Sequence, residues 1–511
     1  MLSKLSRALL TGALVLVFWG TAVPALAQGG DNVLVMARAV DATGLDPHAQ
    51  TAFASLRLLE MIYEPLVNQD QDLNLVPALA TEWAFSDDAM TLTMELRQGV
   101  TFHDGSAFTA EDVIASFERL LDEEFGSAAR TNYVSIESME APDDYTVIFH
   151  LSQPDVPLLA AMASTNAVIL SSEVIASGDP TTVEGTIGTG PFMLESWVPE
   201  ETTVLSANPD WWGEGPNMDG IEIRIIPDET SIVAALRAGT VDFALLTDPL
   251  VATLLDGDET VVLKRTPDID YHVLQLRAAV EPLDKLEVRQ AISCAIDRQE
   301  VIDTAALGEG RVTGPLTMPT FALPPEELFC YEKDLDRARE LMQAAGLLDE
   351  GFTLHVIAAQ AEPPTALSEA QNIQAQLADI NITVEIESLE FATYVDRWLA
   401  ADFMGAIALN GGRIDPYTMY ARYWQYDARF SEVAGYIDDT LDEQMKAGRV
   451  ESDPEARYEI FAAFQRHLAE MSPWIWLYTG YTYTAHQPYV TNWEPTANDS
   501  LYYLYGVSVE R

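Results

Sequence analysis

Between Leu79 and Phe117 the chain reads LATEWAFSDDAMTLTMELRQGVTFHDGSAFTAEDVIASF, and this stretch restricts the fold more than any other. Thr91, Thr93 and Glu95 alternate with Leu92, Met94 and Leu96. A period of two describes a strand buried on one face only. Ser86-Asp87-Asp88 and His103-Asp104-Gly105 carry turn chemistry on either side. Thr109 then precedes Ala110, Glu111 and Asp112, an N-cap followed by acids at the positive end of a helix dipole. The spacing predicts a helix from Ala110 to about Leu121.

The amino terminus sets the compartment. Lys4 and Arg7 precede an apolar run from Ala8 to Ala22, and Pro24-Ala25-Leu26-Ala27 supplies small residues. Residues 1–27 therefore read as a secretory signal cut before Gln28. No later run approaches the roughly 20 apolar residues of a membrane span. The expectation is an exported, soluble chain, and with no Cys at the cleavage region it is not lipid-anchored. The periplasm of a Gram-negative cell fits best. Loss of Lys4 and Arg7 takes the formal charge from −52 to −54. Such a field repels phosphate backbones and anionic lipid, which excludes nucleic acid as a partner. We read the acid excess as a solvated surface suited to solubility, the alternative being a cation-collecting surface. Cys294 and Cys330 are the two cysteines. An oxidising compartment permits a disulfide, while the apolar surroundings of Cys294 equally suit a buried free thiol, and both readings stay open.

The stretch from Leu79 resembles the signature segment of the bacterial family 5 solute-binding proteins, the extracytoplasmic receptors of oligopeptide, dipeptide and nickel ABC importers. Its Leu-Ala, Trp, Ser-Asp-Asp, Leu-Arg-x-Gly-Val-x-Phe-His-Asp-Gly and Phe-Thr-Ala-Glu-Asp-Val pattern is present here. Further matches are Asp46-Pro47 ahead of a helix ending near Tyr63-Glu64-x-Leu66, then Gly188-Thr189-Gly190-Pro191-Phe192, then Leu236, Gly239 and Asp242. A Val-Arg-Gln-Ala-Ile run at 288–292 extends the likeness. The resemblance implies an α/β fold: a type II periplasmic-binding-protein-like two-lobed clamp with an additional inserted domain. It divides the chain into residues 28–67, 191–277 and 486–511 as a discontinuous first domain, 68–190 as an inserted second, and 278–485 as the other lobe. It further implies a monomer that closes on a small-molecule or short-peptide ligand and docks on an ABC permease complex in the inner membrane.

Periodicity predicts the remaining elements. Leu286 to Leu307 reads as one long helix, Thr383 to Leu389 and Phe403 to Leu409 as strands, Pro454 to Met471 as a helix, and Trp474 to Thr484 as a last strand. The glycines of Thr186 to Phe192 are no phosphate loop, because the following Lys-Ser/Thr is missing and Pro191 blocks a helix there. They are expected to form a tight crossing between domains.

Nothing in the sequence requires catalysis. There is no Gly-x-Ser-x-Gly elbow, no His-Glu-x-x-His and no pair of His at metal spacing, and His103 reads as a turn residue. No cofactor and no metal are expected. A secreted hydrolase on the same scaffold is the alternative of another class. The segment that looks like a site is Asn410-Gly411-Gly412-Arg413-Ile414-Asp415-Pro416, where a strand stops at a glycine loop. Arg413 could fork onto a carboxylate or phosphate of the cargo, or pair with Asp415. In peptide-binding members of the resembled family an Asp a few residues before the Asp/Glu-Pro pair holds the peptide's ammonium, and alignment on Asp415-Pro416 puts Gly412 there. Either Asp415 or another acid substitutes, or the cargo is not a free-amino-terminal peptide but an opine, a sugar derivative or a metal chelate. The same resemblance places Thr51, Phe53, Arg130 and Phe391 near the cleft. The expected ligand contacts are thus Thr51, Phe53, Arg130, Phe391, Asn410, Gly411, Gly412, Arg413 and Asp415.

Overall fold

The computed structural model describes residues 32–360, 363–426 and 428–511. The expected signal segment at 1–27 lies outside them. Among the described residues no helix is long and apolar enough to cross a membrane.

Three sheets carry the architecture. The first has seven strands, in the order Val262–Pro267, Tyr481–His486, Phe243–Leu246, Val33–Arg38, Gly220–Ile225, Thr202–Ala207 and Phe192–Val198. Val33–Arg38 runs parallel to both of its neighbours. The helix Glu229–Arg237 therefore makes the crossover expected between parallel strands, with Val33–Arg38 lying between the two it joins. The second sheet has six strands, ordered Arg311–Val312, Trp474–Thr479, Tyr271–Leu276, Gly405–Asn410, Phe352–Ala359 and Ile382–Leu389. Its three last-named strands are mutually parallel and packed by helices such as Ala366–Leu377. The third is an antiparallel sheet of Ala80–Phe85, Thr91–Leu96, Thr146–Leu151 and Ile136–Asp143, in that spatial order. Leu92, Met94, Val147 and Phe149 on one of its faces pack under the helix Ala110–Leu121, burying Val113, Phe117 and Leu120. That helix starts where its cap predicts: Asp112 accepts a hydrogen bond from the Thr109 amide at 2.9 Å.

The joints between sheets correct two expectations. Tyr271–Leu276, assigned above to the first domain, pairs with Gly405–Asn410 and Trp474–Thr479 of the second sheet. The expected single strand from Trp474 to Thr484 is two strands separated by Gly480: Trp474–Thr479 stays in the second sheet and Tyr481–His486 joins the first. The chain thus passes between the large sheets at 268–270 and at Gly480, and these crossings touch, with the Asp268 amide donating to the Gly480 carbonyl at 3.1 Å. Apolar residues resume within two residues of each crossing, Ile269 and Tyr271 at the first and Tyr481 and Tyr483 at the second, so the sequence carries no sign of a change of sheet. The expected helix Leu286–Leu307 is likewise two helices, Leu286–Ala295 and Arg298–Ala305, because Asp297 leaves helical geometry and caps the second by accepting from the Glu300 amide.

The Gly188-Thr189-Gly190 segment is the tight crossing its composition predicts. A Cβ on Gly188 would stand 2.1 Å from the Ile62 carbonyl oxygen, and one on Gly190 2.6 Å from the same atom. His103 seals this joint from the side of the four-stranded sheet, its Nδ1 accepting from the Gly188 amide and its Nε2 donating to the Gly190 carbonyl. Burial pushes its pKa down to about 4, so the ring is neutral, as one donor and one acceptor require. Glu64 anchors the same region: its buried carboxylate accepts from Thr189, Trp211, Trp212 and Tyr502. Cys294 and Cys330 form a disulfide with Cα atoms 4.8 Å apart, which settles the open alternative in favour of the bridge.

Candidate functional site

The two large sheets and the inserted domain enclose a cleft of about 1260 Å³. Its walls come from the helix Phe53–Leu59 and the C-terminal segment 496–503, from residues 128–168 of the inserted domain, and from residues 395–450 of the second lobe. The walls also touch each other. Arg449 donates to Asp155 at 2.6 Å, and the Val156 amide donates to the Arg449 carbonyl at 3.0 Å, which ties the inserted domain to the second lobe.

The first crossing segment reaches the cleft through Ile269. Asp268 and Asp270 flank it, and with Asp499 and Glu60 they surround Arg57, which pairs with Asp499. Desolvation raises Glu60 to about 7, although the Leu501 amide and Ser500 hydroxyl donate to it. Asp270 stands at about 6, raised by desolvation and by Asp499 against the opposing pull of the Gly412 amide, Arg413 and Arg57. Burial would lower Arg57, but Asp499, Asp270, Asp268 and Glu60 together raise it.

The expected site residues divide sharply. Thr51, Phe53, Asn410, Gly411, Gly412 and Arg413 all line the cleft. The glycines have a different reason from the one expected, since what approaches them is the protein itself. The Gly412 amide donates to Asp270 at 2.6 Å, and a Cβ there would stand 2.2 Å from the Ile269 carbonyl oxygen. A Cβ on Gly411 would lie 3.1 Å from the Phe53 ring of the opposite lobe. Arg413 does not pair with Asp415. Its Nη1 donates to the Gly412 carbonyl at 2.8 Å, and its charge is held below the ordinary arginine pKa by desolvation in the cleft and by Arg422 beside it.

Three residues are not among those that line the cleft. Asp415 is buried, caps the helix Pro416–Tyr420 through the Tyr417 and Thr418 amides, and pairs with Arg457 at 2.7 Å. Arg130 turns to the Leu121 carbonyl and Glu123, although Ala129 and Thr131 on either side of it do line the cleft. Phe391 opens the helix Phe391–Leu399 on the outside, and it is Val395, Trp398 and Leu399 of this helix that face inward. Sequence reading missed Arg57, Glu60 and Arg422 in the walls and Asp268 and Asp270 behind them. In a chain with 80 acidic residues a carboxylate carries no signal by position, and the one available clue was the Asp-Ile-Asp run just before a fully buried strand.

Two α/β lobes joined by adjacent crossing segments, with a cleft lined from both and a third domain inserted in the first lobe, define a binding protein of the type II periplasmic clamp class. The model of the bacterial extracellular solute-binding proteins, family 5 Middle, matches residues 74–431, and the chain belongs to this family. A dipeptide-binding protein of Escherichia coli (strain K12) is 27% identical over 430 residues, covering 78% of this chain and 80% of that one. Among solved structures, the PBP AgaA of A. tumefaciens R10 in complex with agropinic acid is 26% identical with a TM-score of 0.81, covering 94% of this chain and 99% of its own. DppA of Helicobacter pylori, an ABC transporter-associated periplasmic binding protein in complex with the peptide STSA, has the same TM-score, identity and coverages.

Proposed function

We propose that this chain is the periplasmic receptor of an ABC importer, taking up peptides or peptide-like small solutes between its lobes and handing them unchanged to an inner-membrane permease. The observation that carries this reading is the cleft of about 1260 Å³, which draws its walls from all three domains and is lined by Ile269 of the first crossing. A solute that touches both lobes gains its full interaction energy only when they are closed, so its binding selects the closed form. The relatives that bind a dipeptide or the peptide STSA support the peptide class.

The division that accompanies this reading places residues 32–67, 191–267 and 481–511 in the first lobe, 68–190 in the inserted domain and 271–479 in the second lobe. Thr51, Phe53, Asn410, Gly411, Gly412 and Arg413 are the ligand contacts within it. The protein acts as a monomer and without catalysis.

A second reading, a non-peptide cargo such as an opine, is favoured by Gly412. The position expected to hold an ammonium carries no acid, and the nearby carboxylate of Asp270 already accepts the Gly412 amide. The complex of AgaA with agropinic acid supports it. Native mass spectrometry of the protein purified from its host, followed by a thermal-shift screen of dipeptides, tripeptides and opines, tests both. A saturable rise in melting temperature with one class supports the receptor reading and selects the cargo. Chemical change in the released solute would refute it.

A further inference from the structure

The second-lobe wall of the cleft carries two guanidiniums that no carboxylate pairs with. Arg413 and Arg422 both line it, and Arg422 lies close enough to help hold the Arg413 pKa below its ordinary value. Neither forms an ion pair among the described residues, in a chain that has 80 acidic side chains for 28 basic ones. Other arginines without a carboxylate are satisfied differently. Arg289 and Arg298 each place their guanidinium on several backbone carbonyls. Arg413 donates only to its own neighbour Gly412, while Arg422 lies against the Tyr423 ring and its buried Nε has no partner. Beside them Asn410, 7% exposed and part of the same wall, has its side-chain amide near the buried Tyr271 hydroxyl but makes no hydrogen bond of good geometry there.

Two guanidiniums that no carboxylate of the protein pairs with directly, and an amide donor beside them, ask for more than a single carboxylate. One carboxylate would leave the second charge uncompensated in a cleft that closure desolvates, which is costly. Guanidinium forks match carboxylate and phosphate oxygens in pairs. Long-range attraction is not available to such a ligand, because the chain carries a formal charge of −52. These short-range donors have to supply the recognition, and beyond a Debye length of about 8 Å the repulsion is screened.

We propose that this wall takes a dianionic head group, either two carboxylates or one phosphate, with Arg413 and Arg422 each holding part of the charge and Asn410 donating to the same group. The proposal rests on the cleft being the solute site and narrows the cargo to solutes with a doubly acidic end.

The test titrates the full exported chain with glutarate, with its monoamide glutaramate and with hydrogen phosphate at fixed ionic strength, alongside a small-molecule extract of the host. Wild type is compared with Arg413→Gln and Arg422→Gln, and the melting temperature of each ligand-free variant checks its folding. The expected result is saturable binding of glutarate or phosphate, the one that binds identifying the source of the dianion, with glutaramate weaker by roughly tenfold or more. Each substitution should weaken that binding by roughly ten- to a hundredfold. Equal binding of glutarate and glutaramate, or an extract ligand that binds both variants as tightly as wild type, overturns the dianionic head while leaving the receptor reading intact. If neither the extract nor any probe raises the melting temperature, the dianionic head and the receptor reading fall together.

Discussion

Gly412 lies so tightly under Ile269 that a Cβ would stand 2.2 Å from the Ile269 carbonyl oxygen, and this contact seats the first crossing segment against the second lobe. Backbone cannot yield as a side chain can, so Gly412→Ala should cost roughly 1–3 kcal/mol of stability and weaken solute binding. Gly411→Ala meets the movable Phe53 ring at 3.1 Å and should be milder. Denaturant melts of the two variants check the order, which would be reversed if Gly412 faced open space.

Asp155 and Arg449 form a nearly buried pair that joins the inserted domain to the second lobe. The Asp155→Asn protein should lose about 3 kcal/mol of closed-state stability, because Arg449 is left without its counter-charge where the walls meet. Small-angle scattering should report a more open average shape, and solute affinity should drop. An unchanged scattering profile with unchanged affinity would count against this pair as a closing contact.

Glu60 stands at about 7 and Asp270 at about 6, both above their ordinary values. A carboxyl with a raised folded-state pKa binds more protons folded than unfolded, so its ionisation destabilises the fold. Between about pH 4 and 7 the ligand-free protein should therefore lose stability from this cluster as pH rises. Each group contributes on the order of 1–2 kcal/mol after allowance for its partial exposure. In Glu60→Gln the remaining decline should be shallower and end near pH 6, as read from melting temperatures across that range.

His103 works in the opposite direction. Its folded-state pKa of about 4 lies below the unfolded value of 6.5. Its contribution is complete above pH 6.5 and is lost as pH falls through the window from 6.5 to 4, by roughly 3 kcal/mol. A His103→Gln variant, which can still donate to the Gly190 carbonyl, should be less stable than wild type at pH 7 and closer to it at pH 4. Chemical denaturation at the two pH values decides.

The Cys294–Cys330 bridge closes a loop with a sequence separation of 36 residues. On the chain-entropy account its loss costs about 3–4 kcal/mol. The double variant Cys294→Ala, Cys330→Ala should melt lower yet bind its solute normally, since neither residue lines the cleft. A large change in affinity at unchanged stability would contradict this.

Local chemistry made the inserted domain readable: the alternation at Thr91–Leu96 and the cap at Thr109 act within a few residues, and both elements begin and end where those signals fall. The six cleft-lining residues that were foreseen follow from a strand ending at a glycine loop and from the family pattern. Arg130 and Phe391 could not be placed in the same way. Ala129 and Thr131 line the cleft beside Arg130, and Val395, one turn on, lines it in the helix of Phe391; which side chain of a short helix faces inward depends on a rotation that the pattern around it does not settle.

Period, caps and turn residues determined by themselves that this chain builds alternating strands and helices with an inserted antiparallel unit, because those forces operate between near neighbours in the chain. Where a strand leaves one sheet for another, and which charges meet in the cleft, were decided only by tertiary structure. Asp270 meets Gly412 across 142 residues of sequence, and Arg449 meets Asp155 across 294. Contacts at such separation leave no period to read, since either partner alone is one more polar residue on an acidic chain.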